Sequence, residues 1–282
     1  MFNHHLNPIF ITIINTILMI GAYYQCYKQP KAFLHTIASF RKHYPTQSLY
    51  IVCDNGLDFS NAAKAFNATY IHDILQSGNN VTNQLASLEN AKRYLLRFFE
   101  GARHIKEPYF ILLEDDVHIF HPIPESICVS DMVGCNRDSA VMYPQIVENL
   151  RKYNPEVESR HYYGGCGGTL FRTEFFKSLH EKITKTPNML DDILQEYKTI
   201  NDKFDSDILL SYLTLRFHGT VTGPPTELSE PYYNNLSALI QRGYICVLHQ
   251  YKEFYNKPLT MEETQLLGWK NEGAPESDVV LP

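Results

Sequence analysis

The sequence has no surplus of basic residues, no paired cysteines and almost no tryptophan, and these shortages exclude several classes of protein. A net charge of −6 over 282 residues argues against a nucleic-acid groove as the main surface. None of the six cysteines stands in a Cys-x-x-Cys pair, which argues against a zinc knuckle, and their scatter is typical of reduced thiols in the cytoplasm. One tryptophan stands against 19 tyrosines, and tyrosine combines an apolar face with a hydroxyl, which suits sugar binding.

The sequence also lacks a run of apolar residues long enough to serve as a membrane span. The nearest candidate, residues 8–21, is shorter than the roughly 20 apolar residues that a span needs, and it contains Thr12, Asn15 and Thr16. No basic segment precedes it, as one would in a secretory signal peptide. We therefore expect this run to enter a buried first strand, and we predict a cytoplasmic protein without a transmembrane segment.

Common catalytic signatures are missing as well. The chain has no Gly-x-Ser-x-Gly elbow, no Gly-Lys-Ser/Thr ending that would make a phosphate-binding P-loop, and no sign of a cysteine nucleophile paired with a histidine. It also has no internal repeat, low-complexity tract or linker. Its chemistry must therefore be sought in other residues.

In the first half of the chain, segments typical of strands alternate with segments typical of helices. Apolar runs predict buried strands at residues 14–24, 48–53 and 109–114, helical spacing predicts helices at 31–44, 59–66 and 83–100, and 69–71 is typical of a short strand. This alternation predicts an α/β fold with a mostly parallel central sheet flanked by helices.

The second half is less regular, which predicts a smaller mixed region beside the parallel sheet. We expect short strands at residues 131–136 and 244–249, a glycine-rich segment at 162–172 and a helix at 206–217. The last dozen residues, 271–282, are typical of a loose tail. The whole chain, residues 1–282, is expected to form one domain.

The stretch ILLEDDVHIF, residues 111–120, places Glu114, Asp115 and Asp116 at the end of a predicted buried strand. Adjacent carboxylates repel each other and are costly to desolvate, so a positive partner is expected. In an extended chain, Glu114 and Asp116 point one way and Asp115 the other. Carboxylates hold Mg²⁺ or Mn²⁺ together with substrate phosphates, so we interpret this triplet as a metal site rather than as a solvated acidic loop.

A further acid, Asp54, ends the predicted strand at residues 48–53 and opens a turn signal, Asp-Asn-Gly. In open α/β sheets, ligands bind beyond the carboxyl ends of the parallel strands. We therefore expect Asp54 and the acidic triplet to share one cleft, although they are far apart in sequence.

Taken in order, these motifs resemble the GT-A glycosyltransferases, in which a DxD or ExD metal motif follows a strand; the EDD form is known among members that transfer N-acetylglucosamine. Residues 22–45, AYYQCYKQPKAFLHTIASFRKHYP, resemble the opening strand and helix of that fold, and LYIVCDNG, residues 49–56, resembles its second strand. The resemblance covers most of the chain. It implies a Rossmann-like GT-A sheet, with a nucleotide-sugar-binding half over about residues 1–120 and an acceptor-binding half over about 121–270.

The resemblance also implies roles for residues of the first half. Asp116 would bind the metal directly, with Glu114 as a further ligand, and Asp115 would lie near the ribose or the donor sugar. The residues placed near the nucleotide base would be Gln25, Tyr27 and Asp54.

The stretch FDSDILLSYLTLRFHG, residues 204–219, places Asp205 and Asp207 just before a leucine-rich helix. Acids near a helix N-terminus are favoured by the helix dipole, so capping is one interpretation for either residue. The stretch also resembles a segment of inverting GT-A enzymes, in which an acid at the start of the helix is the general base for the acceptor hydroxyl. That alignment points to Asp207 as the catalytic base and leaves Asp205 as a cap or an acceptor ligand.

The glycine-rich segment YYGGCGGTLFR, residues 162–172, lets the backbone approach a ligand closely. Its four glycines are Gly164, Gly165, Gly167 and Gly168. It resembles the segment that lines the donor sugar and the acceptor in the GT-A fold. The alternative is a flexible turn before the next strand.

His249 ends the predicted strand at residues 244–249. The resemblance implies that it completes the metal shell, and an imidazole suits Mn²⁺; the alternative is one surface histidine among twelve. Lys252, three residues on, would meet a phosphate oxygen as a point charge. His118 is nearer the triplet in sequence, but it shares the face of Asp116 only if the strand continues.

The sequence thus predicts a glycosyltransferase that uses Mn²⁺ or Mg²⁺. It would move a hexosyl or N-acetylhexosaminyl group, with inversion, from a UDP- or GDP-sugar to a hydroxyl of a glycan or other acceptor. One rival is a sugar nucleotidyltransferase, but such enzymes usually carry a glycine-rich basic loop after the first strand, and residues 23–30 contain no glycine. A second rival is a catalytically inactive GT-A module that binds a glycan or a partner, against which the intact acids argue.

Overall fold

The computed structural model describes residues 19–74, 84–85, 87–134, 141–158, 164–223, 225–231 and 234–269. Several sequence-based predictions lie wholly or partly outside these ranges: the apolar residues 8–18, a loop that the Ser-Gly-Asn-Asn stretch predicts at 77–80, residues 135–136 of the predicted strand 131–136, residues 162–163 of the glycine-rich segment and the tail at 271–282. Within the described ranges, no helix combines the length and the apolar character that crossing a membrane would require.

The strands, in chain order, are β1 (Ile20–Cys26), β2 (Leu49–Asp54), β3 (Thr69–Asp73), β4 (Gln84–Leu85), β5 (Tyr109–Leu113), β6 (His118–Ile119), β7 (Met132–Val133), β8 (Leu170–Arg172), β9 (Phe204–Asp205), β10 (Val221–Thr222), β11 (Leu228–Ser229) and β12 (Val247–Leu248). The helices are α1 (Pro30–His43), α2 (Ser60–Ala65), α3 (Leu88–His104), α4 (Pro144–Leu150), α5 (Thr173–Lys185), α6 (Met189–Ile200), α7 (Ser206–Arg216), α8 (Leu236–Gln241) and α9 (Met261–Leu267).

Seven strands form the central sheet, in the order β10-β7-β8-β5-β1-β2-β3. β1 lies between β2 and β5 and is parallel to both, and β3 and β10 also pair in parallel with their neighbours. β8 runs antiparallel to β5 and β7. The predicted fold class is confirmed: the protein is α/β, with a mostly parallel central sheet, helices on both faces and a smaller mixed sheet.

One hydrophobic core lies between the central sheet and α3. Phe98 of α3 packs edge-on against Tyr23 of β1 and Phe171 of β8, at ring-centroid distances of 5.1 and 5.0 Å. Leu95 and Phe99, at helical spacing in the predicted helix, are buried in the same core. Because each buried aromatic side chain removes a large apolar area from water, this cluster fixes α3 over the sheet.

The predicted start of this helix, at residue 83, is wrong. Helix α3 begins at Leu88, where the Ser87 side chain accepts a hydrogen bond from the Asn90 backbone N–H at 3.1 Å. Leu85, predicted for the helix, belongs to β4, which pairs antiparallel with β9. The serine side chain satisfies a backbone donor that the first turn leaves without a helical partner, and this sets the boundary.

The second core lies on the opposite face of the sheet, beneath α1. Phe33, Ile37 and Phe40 are buried there, as their helical spacing predicted. Pro30 occupies the first turn, where its missing N–H is not needed.

A three-stranded sheet, in the order β11-β12-β6, packs against this second core through Ile119 and Val247. β12 is parallel to β11 and antiparallel to β6. The strand predicted at residues 244–249 is therefore shorter than expected and belongs to this small sheet. The position of β12 matters because the residue that follows it is His249.

Candidate functional site

The acidic triplet lies where β5 ends. All five residues of β5 are buried, and the chain leaves the sheet in a tight turn in which the Val117 N–H donates to the Glu114 carbonyl at 3.1 Å. This turn places the carboxylates at the carboxyl edge of the sheet. Asp116 is 7% exposed, whereas Glu114 and Asp115 are half-buried.

The small sheet brings His249 to the triplet. β12 pairs with β6 so that Leu248 lies opposite His118, and the chain passes directly to His249. The His249 Nε2 atom lies 3.5 Å from the Glu114 Oε2 and 3.6 Å from the Asp116 Oδ1. One potential ligand atom of each residue lies within 4.8 Å of the other two. The structure thus brings together the three predicted metal ligands, which we name the acid–histidine trio.

The donor atoms of the acid–histidine trio suit a divalent cation. Burial raises the pKa of Asp116, with His249 opposing the rise and Glu114 adding to it. Burial alone would lower the pKa of His249, but Cys166, Glu114 and Glu230 raise it well above its ordinary value. In the metal-free protein, a proton on the imidazole therefore supplies positive charge that the carboxylates need. Two carboxylates and one imidazole match the ligands that Mn²⁺ accepts, and Mg²⁺ prefers the carboxylates.

Asp115 faces β1 rather than His249. The Tyr24 hydroxyl donates to its Oδ1 at 2.8 Å, and the Tyr27 backbone N–H donates to its Oδ2 at 3.4 Å. Burial raises the pKa of Asp115 to about 7, with the Tyr24 hydrogen bond opposing the shift and Asp116 adding to it. Asp115 therefore ties the end of β5 to the end of β1, and its contact with a ribose or donor sugar stays a prediction.

Asp207 lies in the first turn of α7. The Ser206 hydroxyl donates to its Oδ1 at 3.0 Å. Burial raises the pKa of Asp207 to about 7, and the charge of Glu114 adds to the shift. The Asp207 backbone packs against Gly165, two residues before the Gly167 N–H that donates to Glu114. The side chain is half-buried, so part of it is open to a substrate.

Asp205 occupies the N-cap position of α7, but its side chain makes no capping hydrogen bond. Asp205 therefore stands where a cap is expected, and any stabilisation of the helix end by its carboxylate comes from the helix dipole rather than from a capping hydrogen bond. Burial raises the pKa of its half-buried carboxyl. A role in binding the acceptor stays a prediction.

The glycine-rich segment packs against both acidic groups. Gly165 has a φ of +111°, and a Cβ atom there would lie 2.7 Å from the Asp207 carbonyl oxygen. The Gly167 N–H donates to the Glu114 Oε2 at 3.0 Å, and a Cβ atom there would lie 3.0 Å from the His249 Cδ2. Both positions are too close for a larger residue. This part of the segment is a packed lining of the site, and its contact with a sugar stays a prediction.

The other two glycines anchor this lining. The Gly164 N–H donates to the Ser211 hydroxyl on α7 at 2.9 Å. The Gly168 N–H donates to the Leu112 carbonyl on β5 at 2.7 Å. The lining is therefore joined to the helix that carries Asp207 and to the strand that carries the acidic triplet.

Asp54 ends β2 at the same edge of the sheet, with β1 between it and β5. It is 1% exposed, and its Oδ1 lies 2.8 Å from an Nη1 atom of Arg97 on α3. The same guanidinium reaches Asp73 at 2.9 Å. A contact between Asp54 and a nucleotide base stays a prediction, and it would require the carboxylate to exchange its Arg97 partner.

Gln25 and Tyr27 lie at the end of β1, between the strand that carries Asp54 and the strand that carries the triplet. The Gln25 Oε1 atom is buried and accepts no hydrogen bond from any residue that the structure describes. The Tyr27 carbonyl accepts a hydrogen bond from the Leu57 N–H at 2.9 Å. A contact between Gln25 and a nucleotide base stays a prediction, and it would require the buried Oε1 to become accessible to the ligand.

Two of the residues considered in the sequence analysis, Lys252 and His118, lie at the edge of the site or outside it. The Lys252 Nζ atom is 3.9 Å from the Asp116 Oδ2, on a side chain that is 55% exposed. His118 does not join the trio because the chain turns before it; it packs near Phe120 and Tyr251 instead. Burial lowers the pKa of His118 to about 4.

Sequence analysis missed three residues close to the site. Glu230, which follows β11, has its Oε1 3.2 Å from the His249 Nδ1. Burial raises the pKa values of Tyr94 and Tyr255, and the charge of Glu114 adds to both shifts. Tyr94 lies on the buried face of α3, where helical spacing indicates only a core position. No motif in the sequence marks Glu230 or Tyr255.

Comparison with solved structures gives matches to a glycosyltransferase. One is the galactosyltransferase LgtC in complex with donor and acceptor sugar analogues, and another is an active-site mutant of LgtC. Each has 12% sequence identity and a TM-score of 0.44, over 88% of this chain and 95% of that chain. No protein-family model matches the sequence, and no curated protein matches it. Similarity at this level carries no conclusion about activity, so function must come from the residues of the site.

Proposed function

We propose that this protein is a metal-dependent glycosyltransferase that moves a sugar from a nucleotide-diphosphate donor to an acceptor hydroxyl. One observation carries the proposal: the acid–histidine trio lies beside Asp207 at the carboxyl edge of a mostly parallel sheet. Ligands of open α/β sheets bind at that edge. A cation to neutralise a diphosphate and a carboxylate to accept a proton are the two parts that such a transfer needs.

Glu114, Asp116 and His249 would hold Mn²⁺ or Mg²⁺. The bound cation supplies positive charge that offsets the charge developing on the departing diphosphate. Lys252 adds a second positive group, because its exposed ammonium is free to turn from Asp116 toward a phosphate oxygen.

Asp207 would act as the general base. Because its pKa is raised to about 7, chiefly by burial, its carboxylate is more basic than that of an ordinary aspartate. It would accept the proton of the acceptor hydroxyl while the acceptor oxygen bonds to the anomeric carbon and the bond from that carbon to the diphosphate oxygen breaks. Attack from the face opposite the leaving group inverts the anomeric carbon. Asp205, in the same segment, would bind the acceptor.

The donor would lie across the end of β1. Uracil and guanine each present a ring N–H, and the buried Oε1 of Gln25 is an acceptor suited to such a group. Tyr27 and Asp115 lie at the same end of β1, where the Tyr27 backbone N–H donates to the Asp115 carboxylate. A UDP- or GDP-sugar carrying a hexosyl or N-acetylhexosaminyl group is the substrate class that we propose.

A screen of UDP- and GDP-sugars, with and without Mn²⁺, tests this function by thermal shift and by turnover. We expect one donor class to raise the melting temperature only when the metal is present, by mass action, and to be hydrolysed or transferred. Asp116→Asn should weaken the metal effect and lower the turnover by about 10²–10³-fold. Asp192→Asn, which removes an exposed acid on α6, should change neither.

Other outcomes of the same screen would identify other functions. Release of pyrophosphate from a nucleoside triphosphate and a sugar phosphate would indicate a nucleotidyltransferase. Glycan binding without any donor turnover would indicate an inactive module. Transfer at the wild-type rate in Asp207→Asn would remove the base assignment while leaving the metal site in place.

A further inference from the structure

Glu230 lies next to His249 because of the register of the small sheet. β11 and β12 are parallel, with Ser229 opposite Leu248. The His249 N–H continues this ladder by donating to the Ser229 carbonyl at 2.9 Å. The next residue after β11 is Glu230 and the next after β12 is His249, so strand pairing alone sets the two side by side.

The two nitrogens of the His249 ring face different groups. Nδ1 lies 3.2 Å from the Glu230 Oε1, whereas Nε2 lies 3.5 Å from the Glu114 Oε2 and 3.6 Å from the Asp116 Oδ1. His249 is 3% exposed and Glu230 is 7% exposed, so both are held by the surrounding fold. The imidazole therefore lies between Glu230 on one side and the carboxylates of the acid–histidine trio on the other.

A histidine that binds a metal must present an unprotonated nitrogen to it. A neutral imidazole carries one ring proton, and this proton must be on Nδ1 if Nε2 is to be the ligand atom. A carboxylate that accepts a hydrogen bond from Nδ1–H favours this tautomer, fixes the plane of the ring and makes Nε2 a stronger donor to the metal. In the structure Nδ1 makes an ion-pair contact with Glu230 at 3.2 Å and no hydrogen bond of regular geometry with any described residue. A small rotation of the ring when a cation binds Nε2 would align Nδ1–H with the carboxylate and produce all three effects.

We propose that Glu230 is a positioning residue of the metal site, which accepts a hydrogen bond from the Nδ1–H of His249 and so directs Nε2 toward a cation held with Glu114 and Asp116. The inference rests on the proposed function, because it requires the trio to bind a metal. Glu230 itself does not touch the cation. It sets the tautomer of the His249 ring and the strength with which His249 binds the cation.

A purely structural role for Glu230 has different consequences. A carboxylate this buried is costly to desolvate unless it is partnered, so its removal changes folding stability in either case. Folding stability therefore does not separate the two roles. Metal affinity and the protonation of the His249 ring do separate them, since a structural role would leave both unchanged in a folded variant.

Mn²⁺ titration calorimetry on the whole chain and three variants provides the first readout. Glu230→Ala should raise the Kd for Mn²⁺ about 10–100-fold, the usual effect of removing such a partner. Glu230→Gln keeps an acceptor oxygen in the same place and should raise the Kd several-fold, less than alanine does. Glu227→Gln, which removes a charge from the same segment on the other side of β11, should leave the Kd unchanged.

¹⁵N NMR of the histidine rings in the Mg²⁺-loaded proteins provides the second readout and requires no enzymatic activity. In the wild-type protein and in Glu230→Gln, the His249 ring should be protonated on Nδ1 alone. In Glu230→Ala, a second form should appear in which His249 has left the cation and carries its proton on Nε2. The glutamine variant is nearly isosteric with glutamate, so its Kd and its ring protonation remain informative if the alanine variant does not fold.

The outcomes distinguish this inference from the proposed function. If Mn²⁺ binds the wild-type protein and the Kd of Glu230→Ala is within about twofold of it, the role of Glu230 is overturned and the metal site stands. The Kd of Glu230→Gln decides in the same way if alanine is not tolerated. If the wild-type protein binds no Mn²⁺ at millimolar concentration, both the metal site and the role of Glu230 are overturned.

Discussion

Acidic residues lie at two places along one edge of the central sheet, and their surroundings differ. At the ends of β2 and β3, Asp54 and Asp73 share the guanidinium of Arg97, and Arg93 forms a second ion pair with Asp73. We call these four residues the paired end. At the end of β5, the acidic triplet is held with His249, and among the described residues Lys252 is the one lysine or arginine within ion-pair distance of it, at 3.9 Å.

The difference predicts a different role for each group of acids. The paired end is neutralised by the chain itself, so its charges are part of the folded structure. The acidic triplet has fewer cations than carboxylates, and burial raises the pKa values of Asp115 and Asp116. Carboxylates that remain short of positive charge in a buried position favour a cation from outside the chain. Changes at the paired end should therefore affect folding, and changes at the triplet should affect metal binding and catalysis.

The largest effect is expected from Arg97→Met. The substitution keeps an apolar stem but leaves Asp54 buried without its Arg97 partner, and breaking a buried ion pair in this way costs about 3–5 kcal/mol. The free energy of unfolding, measured with urea, should fall by that amount. Lys252→Met at the triplet is the matched control and should change it by less than about 1 kcal/mol, because the Lys252 side chain is 55% exposed. Equal losses in the two variants would contradict the distinction between the two ends.

Asp116→Asn should have the next largest effect, on activity instead of folding. Removing a ligand of the proposed cation should lower kcat/KM for the donor by about 10²–10³-fold, the size seen when one group that stabilises developing charge is lost. Asp73→Asn makes the same chemical change at the paired end. It should weaken folding and leave kcat/KM of the folded protein nearly unchanged. A similar loss of kcat/KM in both variants would show that the triplet has no special role.

The pH dependence of stability should also distinguish the two ends. Burial raises the pKa of Asp115 to about 7 in the folded protein, against roughly 3.9 for an ordinary aspartate. Between those two pH values the folded protein binds more protons than the unfolded chain, so its stability falls as the pH rises through this window. Between pH 4 and pH 8, the melting temperature in EDTA should therefore fall in the wild type. This fall should be a few degrees larger than the fall in Asp115→Asn. Identical pH profiles would contradict the raised pKa.

Local patterns placed each member of the acid–histidine trio after an apolar strand-forming run, and the resemblance to GT-A glycosyltransferases joined the three as metal ligands. Glu114 and Asp116 follow β5, and His249 follows β12. Glu230 could not be found this way, because its link to His249 depends on the pairing of two strands of two residues each, too short to show a pattern. The ion pair of Asp54 was hidden for a similar reason, since its partner Arg97 lies on the next long helix.

The boundary of α3 shows how a single local interaction overrides periodicity. Leu85 and Leu88 continue the apolar spacing of the helix toward its N-terminus, so spacing alone predicts a longer helix. The Ser87 cap ends it, and pairing with β9 takes Leu85 into a strand. Sequence therefore predicted the main elements of the first half and which of their faces are buried, whereas α5, α6 and the side-chain partners distant in sequence needed the structure.

The smallest expected effect comes from Tyr24→Phe, which removes the hydroxyl that donates to Asp115 at 2.8 Å. At pH 8, where Asp115 is charged, the free energy of unfolding should fall by about 1.5 kcal/mol, and at pH 5 by less, because a hydrogen bond to a charged group is the stronger one. Tyr109→Phe, at the other end of β5, is the matched control: the Tyr109 hydroxyl donates to the carbonyls of Cys128 and Ser130, which do not titrate. In Tyr109→Phe, the fall in the free energy of unfolding should be the same at both pH values. A Tyr24→Phe loss that does not change with pH would mean that Asp115 keeps one charge state throughout, and the contrast between the triplet and the paired end would then rest on the ion pairs alone.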